Sequence, residues 1–160
     1  MISSGIKFLP IWHSGSKKFS KVEVAKVKEL FEGLLGQYVV DVSQEKRYLT
    51  LDDILVVAPF NLQVQELRKS LPEGARVGTI DKFQGQEAEV VLISMTTSNA
   101  EAMPKEVEFL FSKNRLNVAI TRAKCLAIVI ACEDLLTFPC NTPEQITLVN
   151  TLCWLRALYS

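Results

Sequence analysis

The sequence predicts an α/β domain: a mostly parallel central sheet with helices covering both faces. Three observations carry this. The runs ILVVA (54–58), EVVLISM (89–95) and CLAIVIA (125–131) are apolar at nearly every position, as strands buried on both faces are, whereas a half-exposed strand would alternate. Segments with apolar residues at helical spacing lie between such runs, and that alternation is how sheets with helices on both sides are written. The 160 residues suit one domain burying roughly 70% of its unfolded-chain surface, so no second core is required.

In chain order, IKFLPIW (6–12) is a first strand and HSGSKKF a loop after it. Ser20-Lys21-Val22-Glu23 is a capping box, its serine hydroxyl accepting from an orphan amide while Glu23 reaches back to Ser20. Val24, Val27, Phe31 and Leu34 follow at helical spacing, with Gly36 placed to supply a left-handed stop. ILVVA, ended by Pro59, is the second strand. Asn61 can cap the next helix, whose inner stripe is Val64, Leu67 and Leu71. RVGTI (76–80), EVVLISM and CLAIVIA are strands three to five, and SNAEAMPKEVEF (98–109), polar and holding Pro104, is a long loop. NRLNVAITRAK (114–124) begins as a helix. Thr142, Pro143 and Gln145 fit the cap, first-turn and capping-box positions of a last helix with Ile146, Val149 and Leu152 facing inward.

Eighteen basic residues balance eighteen acidic ones, so any nucleic-acid binding must come from a local site and not from net charge. Cys125, Cys132, Cys140 and Cys153 form no CxxC pair and His13 is the one histidine, which reads as reduced core thiols without a zinc site. No apolar run reaches the ~20 residues of a membrane span and no apolar signal core opens the chain, so a soluble, cytoplasmic protein without a membrane partner is expected.

In parallel sheets, ligands bind at loops leaving the carboxyl ends of strands, which singles out PFNLQ, TIDKFQGQE and CEDL. The second packs Thr79, Asp81, Lys82, Gln84, Gln86 and Glu87 around Gly85; glycine there permits a positive φ or close approach of a ligand to the backbone. Arg115 and Arg122, seven residues apart, lie roughly 20° from each other around a helix, with Ala119 between them. Two readings stay open: each arginine pairs with a surface carboxylate, or both reach one phosphate through forked hydrogen bonds. GSKKFSK lacks the order of a phosphate loop, and Glu133 and Asp134 read as helix-capping acids.

VGTIDKFQGQEAEVVLISM resembles motif V, and NRLNVAITRAK motif VI, of superfamily 1 helicases of the class that includes the helicase of nonsense-mediated decay. ILVVAPFNLQV resembles the strand and Pro-Tyr/Phe-x-x-Gln turn that precede motif V there, and order and spacing agree over residues 54–135. The wording looks nearest to bacterial proteins in which the helicase follows a RecB-like nuclease region. The resemblance implies a RecA-like three-layer sandwich, residues 1–160 forming the second, C-terminal RecA-like domain as a fragment of a larger protein. ATP and Mg2+ would be held mainly by a first RecA-like domain, the N-terminal partner in the same polypeptide, since no phosphate-loop lysine or magnesium-binding acid pair is present here. Arg122 would be the arginine finger and catalytic residue; Gly85, Gln86, Glu87 and Arg115 would join it at the nucleotide. Pro59, Phe60, Asn61 and Thr79 would contact single-stranded nucleic acid, with DNA expected. Alone, the chain should hydrolyse nothing. A non-catalytic helicase-like docking module for nucleic acid or protein is the alternative, and an independent nucleotide-binding domain a weaker one.

Overall fold

In the computed structural model, which describes residues 1–98, 113–137 and 143–159, all five expected apolar runs are strands of one sheet. They are β1 (Gly5–Ile11), β4 (Ile54–Val57), β5 (Arg76–Gly78), β6 (Ala88–Ser94) and β7 (Ala123–Cys132), in spatial order β1-β7-β6-β4-β5 with every neighbouring pair parallel. Helices α1 (Lys21–Leu34), α2 (Asn61–Ser70), α3 (Lys113–Thr121) and α4 (Pro143–Tyr159) complete the layers. Alternate side chains of each strand go to opposite faces. Ile54, Val56, Val90, Leu92, Ile128 and Ile130 pack with Val24, Val27 and Phe31 of α1 and Val64 and Leu67 of α2. Leu55, Val57, Val91, Ile93, Val129 and Ala131 pack with Leu116 and Ala119 of α3 and Leu152 and Leu155 of α4. Two cores back to back explain why β4 is apolar throughout: neither face meets water. No described helix is long and apolar enough to cross a membrane. The expected loop at 98–109 lies, from residue 99 on, outside the described residues.

Several ends differ from expectation. Ser20 Oγ does accept from the Glu23 amide at 3.2 Å, but the Ser20 N–H donates to Gln63 Oε1 at 2.9 Å, leaving the Glu23 carboxylate for other partners. Gly36 is not left-handed; α1 ends by tightening, with Gly36 N–H donating to Gly33 O and Gln37 N–H to Leu34 O, which satisfies late carbonyls without a positive φ. Asn61 is the first helical residue of α2, not its cap; Phe60 holds that position in extended geometry and its carbonyl accepts the first helical bond, from Val64 N–H at 3.0 Å. In α4, Val149, Leu152 and Leu155 are buried while Ile146 is 50% exposed. Six residues at ~100° each put Ile146 about 120° from Leu152, so a face centred on Leu152 excludes it. Cys132 is buried, but Cys153 is exposed on α4. Pro143 opens that helix as expected; Thr142, Cys140 and the Gln145 side chain lie outside the described residues.

A two-stranded antiparallel hairpin, β2 (Tyr38–Val40) with β3 (Lys46–Tyr48), was not anticipated. Asp41 Oδ1 accepts the Ser43 and Glu45 amides at 2.8 and 3.0 Å, an Asx-type turn. Tyr38 and Tyr48 meet edge to face at 5.9 Å. Arg47 clamps the hairpin to the main sheet, reaching Asp53 at 2.8 Å and Glu89 at 3.4 Å. Burial would lift the Asp53 carboxyl, but hydrogen bonds from Arg47 and from the Thr50 amide and hydroxyl outweigh it and hold the group below its ordinary value. A depressed carboxyl stabilises the fold above its unfolded pKa, near 3.8, and loses that contribution as pH falls through the lower folded value. Arg47→Ala should therefore cost at most about 1 kcal/mol at neutral pH. The gap to wild type should close in acid, which urea unfolding across a pH series would read; a gap that widened below pH ~4 would contradict this assignment.

Candidate nucleotide and nucleic-acid interface

The TIDKFQGQE segment runs from one edge of the sheet to the other. Thr79 leaves the carboxyl end of β5, and Ile80–Phe83 form one 3-10 turn whose Ile80 and Phe83 enter the core. Gly85 then takes φ +77°; a Cβ there would meet nothing within 4 Å, so backbone conformation and not crowding calls for glycine. Gln86 and Glu87, both exposed, arrive at the amino end of β6. Gln86 Oε1 accepts from Arg76 Nη2 at 2.7 Å, and Arg76 is the first residue of β5. Only the first part of the segment therefore obeys the rule of ligands at carboxyl ends.

Arg122 stands at that same amino edge. α3 stops at Thr121, and Arg122 is the turn into β7: its N–H donates to Ala119 O at 3.2 Å and its carbonyl accepts from Ala88 N–H at 3.0 Å. With Ala88 paired to Ala123 in the sheet, the backbone of Arg122 is fixed from both sides. Its Nε is buried and has no hydrogen-bond partner among the described residues. A buried N–H without an acceptor costs about 1–3 kcal/mol, so the fold leaves one donor of this guanidinium unsatisfied, while the side chain also lines a surface depression. Among the described residues no group of three His, Cys, Asp or Glu is arranged to hold a metal.

At the carboxyl edge, Pro59, Phe60, Asn61 and Thr79 line one groove, joined by Lys18, Leu62, Asp81 and Arg115. The four residues expected to share a strand path are thus together, although Phe60 is only 8% exposed and offers the groove an edge, not a free ring. Lys18 was not foreseen; its loop had matched no motif. Arg115 connects the two regions. It also lines a depression with Ile80, Asp81, Gln84, Val118 and Arg122, so the two arginines do face one space. Their fates differ, however. Arg115 Nη1 reaches Asp81 Oδ2 at 3.2 Å with both side chains well solvated, the surface-pair outcome, worth at most ~1 kcal/mol.

At the carboxyl end of β6 lies a buried polar network that sequence reasoning missed. Glu23, completely buried, accepts from Ser94 Oγ at 2.7 Å and Thr96 N–H at 2.9 Å through Oε1, and its Oε2 is 2.7 Å from His13 Nε2. Gln63 Nε2 donates to Ser94 Oγ at 3.1 Å, joining the last residue of the PFNLQ turn to the set. His13 Nδ1 is 2.5 Å from Ser98 Oγ. With Nε2–H donating to the carboxylate, Nδ1 accepts the Ser98 hydroxyl. The sole signal in the sequence was a lone histidine beside an apolar strand.

A five-stranded all-parallel sheet with helices on both faces, motif V and motif VI segments adjoining across β6 and β7, defines a RecA-like α/β domain. Residues 11–134 match the model of an AAA domain family. The chain is 46% identical over 82 residues to the DNA-binding protein SMUBP-2 of Mus musculus, covering 49% of this chain and 8% of that protein. It is 46% identical over 79 residues to the DNA polymerase alpha-associated DNA helicase A of Schizosaccharomyces pombe, 48% of this chain and 12% of that one. Its identity to the Saccharomyces cerevisiae protein of the same description is 33% over 118 residues, 71% of this chain and 15% of that one. The chain belongs to this AAA domain family and is a superfamily 1 helicase domain of the class that includes the nonsense-mediated decay helicase. It spans a small part of the length of each relative.

Proposed function

We propose that this domain is the C-terminal motor half of an ATP-dependent superfamily 1 helicase, supplying the arginine finger and part of the track for single-stranded nucleic acid. The observation that carries the reading is Arg122, which lines one depression with Arg115, keeps its Nε without a hydrogen-bond partner among the described residues, and sits on a backbone locked between α3 and β7. ATP with its Mg2+, held mainly by an N-terminal RecA-like domain of the same polypeptide, supplies the bond to be broken. This chain contributes position and charge. Arg122 offers a forked cation to developing phosphate charge, with Gly85, Gln86 and Glu87 bordering the same edge of the sheet and Arg115 beside it. Its donors meet that charge only when the two domains approach, so hydrolysis is gated by closure.

At the other edge, the Thr79 hydroxyl and the Asn61 amide are donors suited to backbone phosphates, and Pro59 and Phe60 give apolar surface for a base or sugar. Because α3 and the 79–87 segment both run between the two edges, a shift at the nucleotide would be passed to the strand contacts. DNA is the favoured substrate because the relatives are described as a DNA-binding protein and as DNA helicases. The test is strand-stimulated ATP hydrolysis by the full-length protein; its absence with both DNA and RNA would leave a non-catalytic docking module as the better reading. Thr79→Ala should weaken binding of a single-stranded oligonucleotide by about 1 kcal/mol, roughly fivefold, with ATP affinity retained. Fluorescence anisotropy measures it, and unchanged affinity removes Thr79 from the track.

A further inference from the structure

The loop between β1 and α1 is bound down with unusual thoroughness for a surface connection. It crosses the carboxyl end of β6, where Ser98 N–H donates to Ser16 O at 2.9 Å and Ser16 N–H to Ser98 Oγ at 2.9 Å. Thr97 Oγ1 donates to Lys17 O at 2.7 Å, and Cys132 Sγ to His13 O at 3.3 Å. Behind these bonds, the His13 ring spans Ser98 and the buried Glu23. A buried carboxylate is a costly device and buys no stability that an apolar core could not supply. Besides tying α1 to the end of β6, it holds His13 against Ser98, which bonds Ser16 of this loop.

The fixed loop brings Lys18 to the wall of the groove that holds Asn61, Thr79 and Arg115. Lys18 and Arg115 bring two cationic side chains to that groove beside the Asp81 carboxylate, and cations lining a groove suit a chain of phosphates. Lysine is a point charge on a long stem and needs no forked geometry, so it suits a phosphate presented at the groove's rim. We infer that Lys18 contacts a backbone phosphate of the single strand, and that the Glu23–His13–Ser98 network is the positioning device that holds its loop on the path. The inference rests on reading the groove as the strand path and extends it to a loop that no helicase motif includes.

The test is binding of a fluorescein-labelled oligodeoxythymidylate to the full-length protein across a salt series. Lys18→Ala should weaken binding several-fold and lower the magnitude of the slope of log K against log [salt] by ~0.7, one phosphate's worth for a single strand. Lys18→Arg should restore the slope. Ser98→Ala, which keeps Glu23 and His13 together while cutting the latch, should reproduce the loss, and the Lys18→Ala/Ser98→Ala pair should be no weaker than Lys18→Ala alone. Wild-type affinity and slope in Lys18→Ala, with binding weakened by Thr79→Ala, would overturn the inference and leave the groove reading intact. Neither variant weakening binding would overturn both. Additive losses in the pair would overturn the positioning role of the network.

Discussion

Replacing Arg122 with alanine is expected to lower strand-stimulated ATP turnover of the full-length protein about a thousandfold or more, while ATP affinity changes far less. The size follows from where the guanidinium acts. Phosphoryl transfer asks the protein mainly for positioning and charge compensation, and a finger that meets charge only as it develops acts on kcat and leaves ground-state binding largely alone. A thousandfold is ~4 kcal/mol of transition-state stabilisation, more than the desolvation cost of leaving Nε without an acceptor in the open domain. Arg122→Lys should recover little, since a point charge lacks the fork and the reach. The backbone bonds of Arg122 to Ala119 and Ala88 do not involve its side chain, so both variants should fold. Single-turnover ATPase kinetics with nucleotide affinity measured in parallel decide the matter: near-normal turnover in Arg122→Ala refutes the finger assignment.

The strands were legible because burial on both faces leaves short runs that are apolar throughout, too short for a buried helix and bounded by turn residues: β4, at ILVV, is apolar at each position, ends before Pro59 and sits between two cores. The hairpin was illegible for the opposite reason. Tyr38, Val40 and Val42 are followed by charged Glu45, Lys46 and Arg47, and the hairpin is held by a Tyr38–Tyr48 contact and by an arginine clamp whose partners, Asp53 and Glu89, lie outside it. Helix ends were read from local cap chemistry, and tertiary partners reassigned it: Gln63 took the Ser20 amide and freed Glu23. The site shows the same division. Pro59, Phe60, Asn61 and Thr79 meet in one groove. That Gln86 and Glu87 lie at the opposite edge from Thr79 could not be read from a nine-residue segment, because a loop's span depends on the strands it joins. His13 and Ser98, 85 residues apart, carry no pattern at all.

Glu23→Ala is expected to destabilise the domain strongly, by about 3–5 kcal/mol. The carboxylate is wholly buried and accepts from Ser94, Thr96 and His13 at once; truncation leaves each of those groups in a dry interior without its partner, and opens a cavity besides. One of them is a backbone amide in an awkward place. Thr96 has φ 73°, a conformation rare for a β-branched residue, and its N–H bond to Glu23 helps hold the chain there. At roughly 2–4 °C per kcal/mol for a domain of this size, Tm should fall by about 6–20 °C. Glu23→Gln should cost less, roughly 1–2 kcal/mol. Its amide oxygen can still accept from Thr96 and Ser94, and its NH2 can donate to His13 Nε2 only if the imidazole moves its proton to Nδ1, towards a Ser98 oxygen that already accepts from Ser16. Thermal and urea unfolding of the three proteins measure the ranking. A loss below ~1 kcal/mol in Glu23→Ala, the cost of an ordinary surface change, would mean that the network is not what fixes α1, α2 and the end of β6 to one another.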